Sequence, residues 1–103
     1  MSVVEVNKDS FEKEVLNNNI KVLADFNANW CGPCRMLKPI IEEIAENNDK
    51  IKIVSINIDD EEELAEKYEI SSIPCLILFE NGKEIKRNIG FISKEDIETL
   101  IGE

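Results

Sequence analysis

The sequence predicts an α/β fold, a mixed central β-sheet of element order βαβαβαββα with helices on both faces. Three observations predict it. Short aliphatic or β-branched runs alternate with segments whose apolar residues recur every three or four positions, so strands alternate with helices. The run Ile51-Lys52-Ile53-Val54-Ser55-Ile56-Asn57-Ile58 is aliphatic almost throughout, as expected of a strand covered on both sides. Near the C-terminal end, Asn81-Gly82 separates two further runs, and Asn-Gly tolerates the positive φ of a tight hairpin turn.

Each element has its own signal. Val3 to Val6 is short and β-branched, a first strand. Asp9 or Ser10 is the expected cap of a helix reaching Leu16, with Phe11 and Val15 four apart on its inner face and Asn17-Asn18-Asn19 ending it. Lys21 to Phe26 is a buried strand with one odd member, Asp25. In the next helix Leu37, Ile40, Ile41, Ile44 and Ala45 form one apolar stripe, and Pro39 inside it is expected to kink the helix. Strand 51–58 follows, then an acidic helix from about Glu61 to Tyr68 with Leu64, Ala65 and Tyr68 inward. Cys75 to Phe79 is a strand, 80–83 the turn, and Glu84 to Ile89 the antiparallel return. Ser93, three residues before Asp96, caps a last helix with Ile97, Leu100 and Ile101 as its core face.

Composition narrows the function. A chain of 103 residues is expected to form a single domain, 1–103, and 43% hydrophobic residues suffice for a core. Twenty-two acids against 12 bases give a net charge of −10, which repels nucleic acid and anionic membrane surfaces. Histidine is absent, so Cys–His and Ser–His catalysis and His-containing metal sites are excluded. No run approaches the ~18 apolar residues of a membrane span. Met1 to Glu5 carries neither a basic segment nor an apolar run, and three cysteines cannot all pair, so a cytoplasmic, reducing setting is expected.

The stretch Trp30-Cys31-Gly32-Pro33-Cys34 admits three readings: a metal clamp, a structural staple or a working dithiol. A structural zinc site takes four ligands, and three cysteines without histidine need a carboxylate or a second subunit to complete one. A bridge closing so short a loop constrains the unfolded chain little. The dithiol suits its surroundings, since the pair follows a strand and opens the long helix. Pro33 fits the first helical position, where its missing N–H is no loss. Cys31 then faces unpaired N–H groups and the positive dipole end, which favour a thiolate. Cys34 stands within disulfide reach and deeper.

From Asp25-Phe26 through Trp30-Cys31-Gly32-Pro33-Cys34-Arg35-Met36, the chain resembles the active-site stretch of the thioredoxin family. Pro39 to Ala45, Asn57-Ile58-Asp59, Tyr68-x-Ile70-x-x-Ile73-Pro74, Phe79-x-Asn81-Gly82 and Gly90 extend the resemblance over nearly the whole chain. It implies the thioredoxin fold and a general protein-disulfide reductase. The Cys31 thiolate would attack a target disulfide, Cys34 would resolve the mixed disulfide, and Asp25 would accept the Cys34 proton, through water. Pro74 would be a cis-proline beside the disulfide, and Ile73 would pair with an extended substrate. Trp30, Gly32, Pro33, Ile73, Pro74, Gly90 and Phe91 would form a flat docking patch. The implied partners are disulfide-containing proteins and a thioredoxin reductase, nicotinamide–flavin or ferredoxin-linked. A monomer is expected, without metal or cofactor beyond the sulfur pair. The alternatives are an oxidant or isomerase of the same fold, or a non-catalytic binding module using the Trp30 patch.

Three positions depart from the family pattern. Asn27 replaces an aromatic, Ser55 replaces a lysine near the strand aspartate, and Cys75 stands where threonine is frequent. Without the lysine, Asp25 is expected to titrate higher than in lysine-bearing relatives. Cys75 is either a small buried side chain or a third redox thiol.

Overall fold

A computed structural model describes residues 2–102; positions 1 and 103 of the expected domain lie outside the described residues. Five strands, β1 (Val4–Glu5), β2 (Lys21–Asn27), β3 (Ile51–Asn57), β4 (Cys75–Glu80) and β5 (Lys83–Ile89), form one sheet in the order β1-β3-β2-β4-β5. β1 and β2 run parallel to β3, whereas β4 is antiparallel to β2 and β5 to β4. Four helices, α1 (Lys8–Phe11), α2 (Gly32–Asn47), α3 (Glu62–Lys67) and α4 (Lys94–Leu100), complete the α/β order predicted from the sequence.

Side-chain alternation along the strands divides the core. Val22, Ala24, Phe26, Val54, Ile56, Ile77 and Phe79 pack with Phe11 and Val15 and with Leu64 of α3. Leu23, Ile51, Ile53, Leu76 and Leu78 face the other way, against Leu37, Ile41, Ile44 and Ala45 of α2 and Ile97 and Ile101 at α4. α2 runs unbroken from Gly32 to Asn47 with Pro39 inside it, and its apolar stripe packs on the sheet on both sides of that proline. Leu100 and Tyr68 are only partly buried.

The expected start of the first helix changes. α1 is capped by Asn7, whose side chain accepts from the N–H groups of Asp9 and Ser10, while Ser10 Oγ accepts from the Asn7 N–H at 3.1 Å. Asp9 and Ser10 therefore occupy the first turn, since the earlier Asn satisfies the orphan donors before them. The chain then widens into a π-helical turn over Glu12–Leu16, closed by Asn17 N–H donating to the Glu12 carbonyl at 2.8 Å. In the hairpin, Asn81 (φ 53°) and Gly82 (φ 79°) take the left-handed backbone their sequence suggested.

Candidate active site

β2 delivers the chain to the cysteine pair. Cys31 keeps extended backbone and caps α2, so that its Sγ accepts from the Cys34 N–H at 3.2 Å. The helix starts at Gly32, which puts Pro33 at the second rather than the first helical position; the N–H it lacks is still one of the helix's orphan donors. Cys31 and Cys34 are joined in a disulfide with Cα atoms 5.2 Å apart. The expected contrast in depth is absent from their exposure, 5% for each residue. They differ in what they face. Cys31 Sγ lies 3.9 Å from the Ile73 carbonyl, whereas Cys34 lines an open cleft of about 640 Å³ that Asp25 also lines.

Asp25 is 5% exposed, and its Oδ1 has no hydrogen-bond partner. It lies on the α2 face of the sheet because its β2 neighbours Ala24 and Phe26 fill the other face. Burial, joined by the negative charge of Glu5, pushes its carboxyl up from 3.8 to about 7. A protonated carboxyl needs less solvation than a carboxylate, so burial without a partner for Oδ1 favours the acid. The departing positions Asn27 and Ser55 meet here. Asn27 Nδ2 donates at 2.8 Å to Ser55 Oγ and at 2.8 Å to the Asp25 carbonyl, bridging β2 and β3.

The docking residues come from separate loops. Trp30 is 66% exposed, and its Nε1 donates to Asp59 Oδ2 at 2.8 Å, which fixes the indole. The Arg35 guanidinium donates to the Asn29 carbonyl at 2.8 Å, bracing the same loop. Ile73 packs on the cluster of Ala28, Cys31 and Cys34, followed by a cis bond to the buried Pro74. Among the described residues the Ile73 N–H has no hydrogen-bond partner. Gly90 N–H donates to the Pro74 carbonyl at 2.8 Å with φ 100°, a backbone that a side chain would strain, and exposed Phe91 follows. Pro33 is exposed and Gly32 partly buried.

Cys75 is a free thiol, fully buried among Phe26, Ile77 and Phe79 on the sheet face opposite Asp25. Burial pushes the Cys75 thiol up, with Arg87, Glu84 and Asp25 as smaller influences. Sequence reasoning assigned no role to Asp59, Glu5, Met36 or Ile89. Met36 and Ile89 are large exposed apolar residues, and Met36 was detectable as an apolar residue off the α2 stripe. Asp59 and Glu5 carried no local signal. Among the described residues, no group of three or more Cys, Asp or Glu side chains could hold a metal ion, and no helix is long and apolar enough to cross a membrane.

The family model Thioredoxin matches residues 2–103. The thioredoxin of Pyropia yezoensis is 46% identical over 102 residues, covering 98% of this chain and 95% of the relative. That of Bacillus subtilis is 41% identical, covering 98% and 96%. A chloroplastic M-type thioredoxin of Chlamydomonas reinhardtii is 44% identical over 93 residues, covering 89% and 66%.

Proposed function

The chain belongs to the thioredoxin family and is a protein-disulfide oxidoreductase that reduces disulfide-containing targets, and from that premise we propose how its residues divide the work. Cys31 is the attacking sulfur. As a thiolate it displaces one sulfur of the target disulfide, forming a mixed disulfide and releasing a target thiolate. Cys34 Sγ then attacks Cys31 Sγ, the intermolecular bond breaks, and the target leaves with two electrons while the Cys31–Cys34 bond forms. A reductase, nicotinamide–flavin or ferredoxin-linked, returns two electrons to the pair. No further cofactor enters the proposal, and the monomer acts in a reducing compartment.

One observation carries the assignment: Cys34, and not Cys31, shares a cleft with the unpartnered Asp25. The sulfur that must lose a proton to resolve the mixed disulfide is the one beside a group able to take it. The Cys34 N–H on Cys31 Sγ, at the start of a 16-residue helix, favours negative charge on the Cys31 sulfur. The exposed Trp30 and Phe91 and the unpaired Ile73 N–H support docking of an extended target segment by one added strand hydrogen bond. Its burial among core side chains supports a packing role for Cys75.

The assay is reduction of a model protein disulfide with a recycling dithiol. Cys31→Ser is expected to abolish turnover, at least 10³-fold by the usual cost of losing a nucleophile (order of magnitude). Cys34→Ser is expected to stall as a mixed disulfide detectable by mass. Full activity of Cys31→Ser would instead mark a binding module, and a reduction potential near those of oxidants would mark an oxidase or isomerase.

A further inference from the structure

Glu5 lies on the edge strand β1, opposite Ser55 of β3, and Ser55 lies opposite Asp25 of β2. Residues paired across adjacent strands project to the same side. Glu5, Ser55 and Asp25 thus form one transverse row on the α2 side, and all three line the same cleft. The inner end of the row is the buried acid with its unpartnered Oδ1, and the outer end is an exposed carboxylate. Asn27 holds the middle by donating to Ser55 Oγ at 2.8 Å. Two strand spacings of about 4.8 Å put the two acids roughly 10 Å apart, close enough for charge to act across the cleft.

We propose that Glu5 is a positioning residue for proton transfer between Cys34 and Asp25, its negative charge at the outer end of the row governing how firmly the buried acid holds its proton. The inference rests on the role given to Asp25 above. During resolution the proton leaves Cys34 Sγ for the Asp25 carboxylate and passes out through the cleft. A negative charge nearby makes that carboxylate a better acceptor, and Glu5 is the charged neighbour that adds to burial in raising Asp25. The other groups facing Asp25 come from α2, where Cys34, Arg35, Lys38 and Glu42 line the cleft. Arg35 is held on the Asn29 carbonyl, β3 adds only the uncharged Ser55 and Asn57, and Cys75 of β4 lies on the opposite face.

The test titrates the Asp25 carboxyl by ¹³C NMR in the oxidised protein, with the pH profile of disulfide reduction measured in parallel. Glu5→Gln is expected to lower the Asp25 midpoint by roughly half a pH unit, as Coulomb's law gives for about 10 Å through a partly aqueous path, and to move the activity profile the same way. Glu5→Asp is expected to stay near wild type. Glu46→Gln, which removes an equal charge from an exposed α2 position outside the cleft, is expected to leave the midpoint in place. An unmoved Asp25 in Glu5→Gln, an equal shift in Glu46→Gln, or a shift absent from the activity profile overturns the inference while the role of Asp25 stands. An Asp25→Asn protein with the wild-type pH profile overturns that role and the inference with it.

Discussion

Asp25 is kept at a cost to stability. In the unfolded chain a carboxyl of this kind releases its proton near 3.9, whereas in the fold burial pushes it up to about 7. Between those values the folded chain binds more protons than the unfolded one, so stability falls as pH rises through the window and stays lowered above it. Asp25→Asn keeps the shape and removes the charge. It is expected to be more stable than wild type by about 2–4 kcal/mol at pH 8 and to show no such gain at pH 4, measured by urea denaturation of the oxidised proteins. A stability difference that does not change with pH would mean that ionised Asp25 carries no burial penalty. The sequence marked this residue by a single acid in an apolar run. It did not say which atoms surround it, because Asn27, Ser55 and Glu5 reach the site from three strands.

Helix α4 illustrates what holds an element in place. Seven residues are too few for a stable helix alone. Ser93 caps it, accepting from the Asp96 N–H at 3.1 Å, and Ile97 is fully buried against the α2 side of the sheet. Ile97→Ala is expected to cost about 2–5 kcal/mol, read as a lower urea midpoint at unchanged slope. Thr99→Ala, on the exposed face, is expected to change stability by less than about 0.5 kcal/mol. A similar cost for both would mean that the helix itself, and not its packing, sets the effect. The α4 cap was legible because Ser93 and Asp96 sit at capping distance ahead of an apolar repeat. At α1 the sequence pointed to Asp9 or Ser10, and only the backbone showed that Asn7 stands outside the first turn and caps it.

At the scale of the whole molecule, the net charge of −10 governs encounter. Reduction of a cationic disulfide target is expected to slow, about 10-fold or more, between 20 and 500 mM salt, while an anionic target speeds up. Stopped-flow rate constants for the two targets check this, and equal salt slopes would mean that the field at the Trp30 patch does not follow the overall charge.

The chain by itself determined the kinds of element, their order and the seat of a cysteine pair at a helix start. Those properties depend on residues within a turn or two of one another: apolar spacing, caps, a proline, an Asn-Gly. The tertiary structure decided that Cys34 shares a cleft with Asp25, that Trp30 rests on Asp59, and that Glu5, Ser55 and Asp25 stand in one row. The row joins three separate strands, and strand register controls it. A slip of one residue along β2 would have turned Asp25 to the other face of the sheet, out of the row and away from the cleft it shares with Cys34.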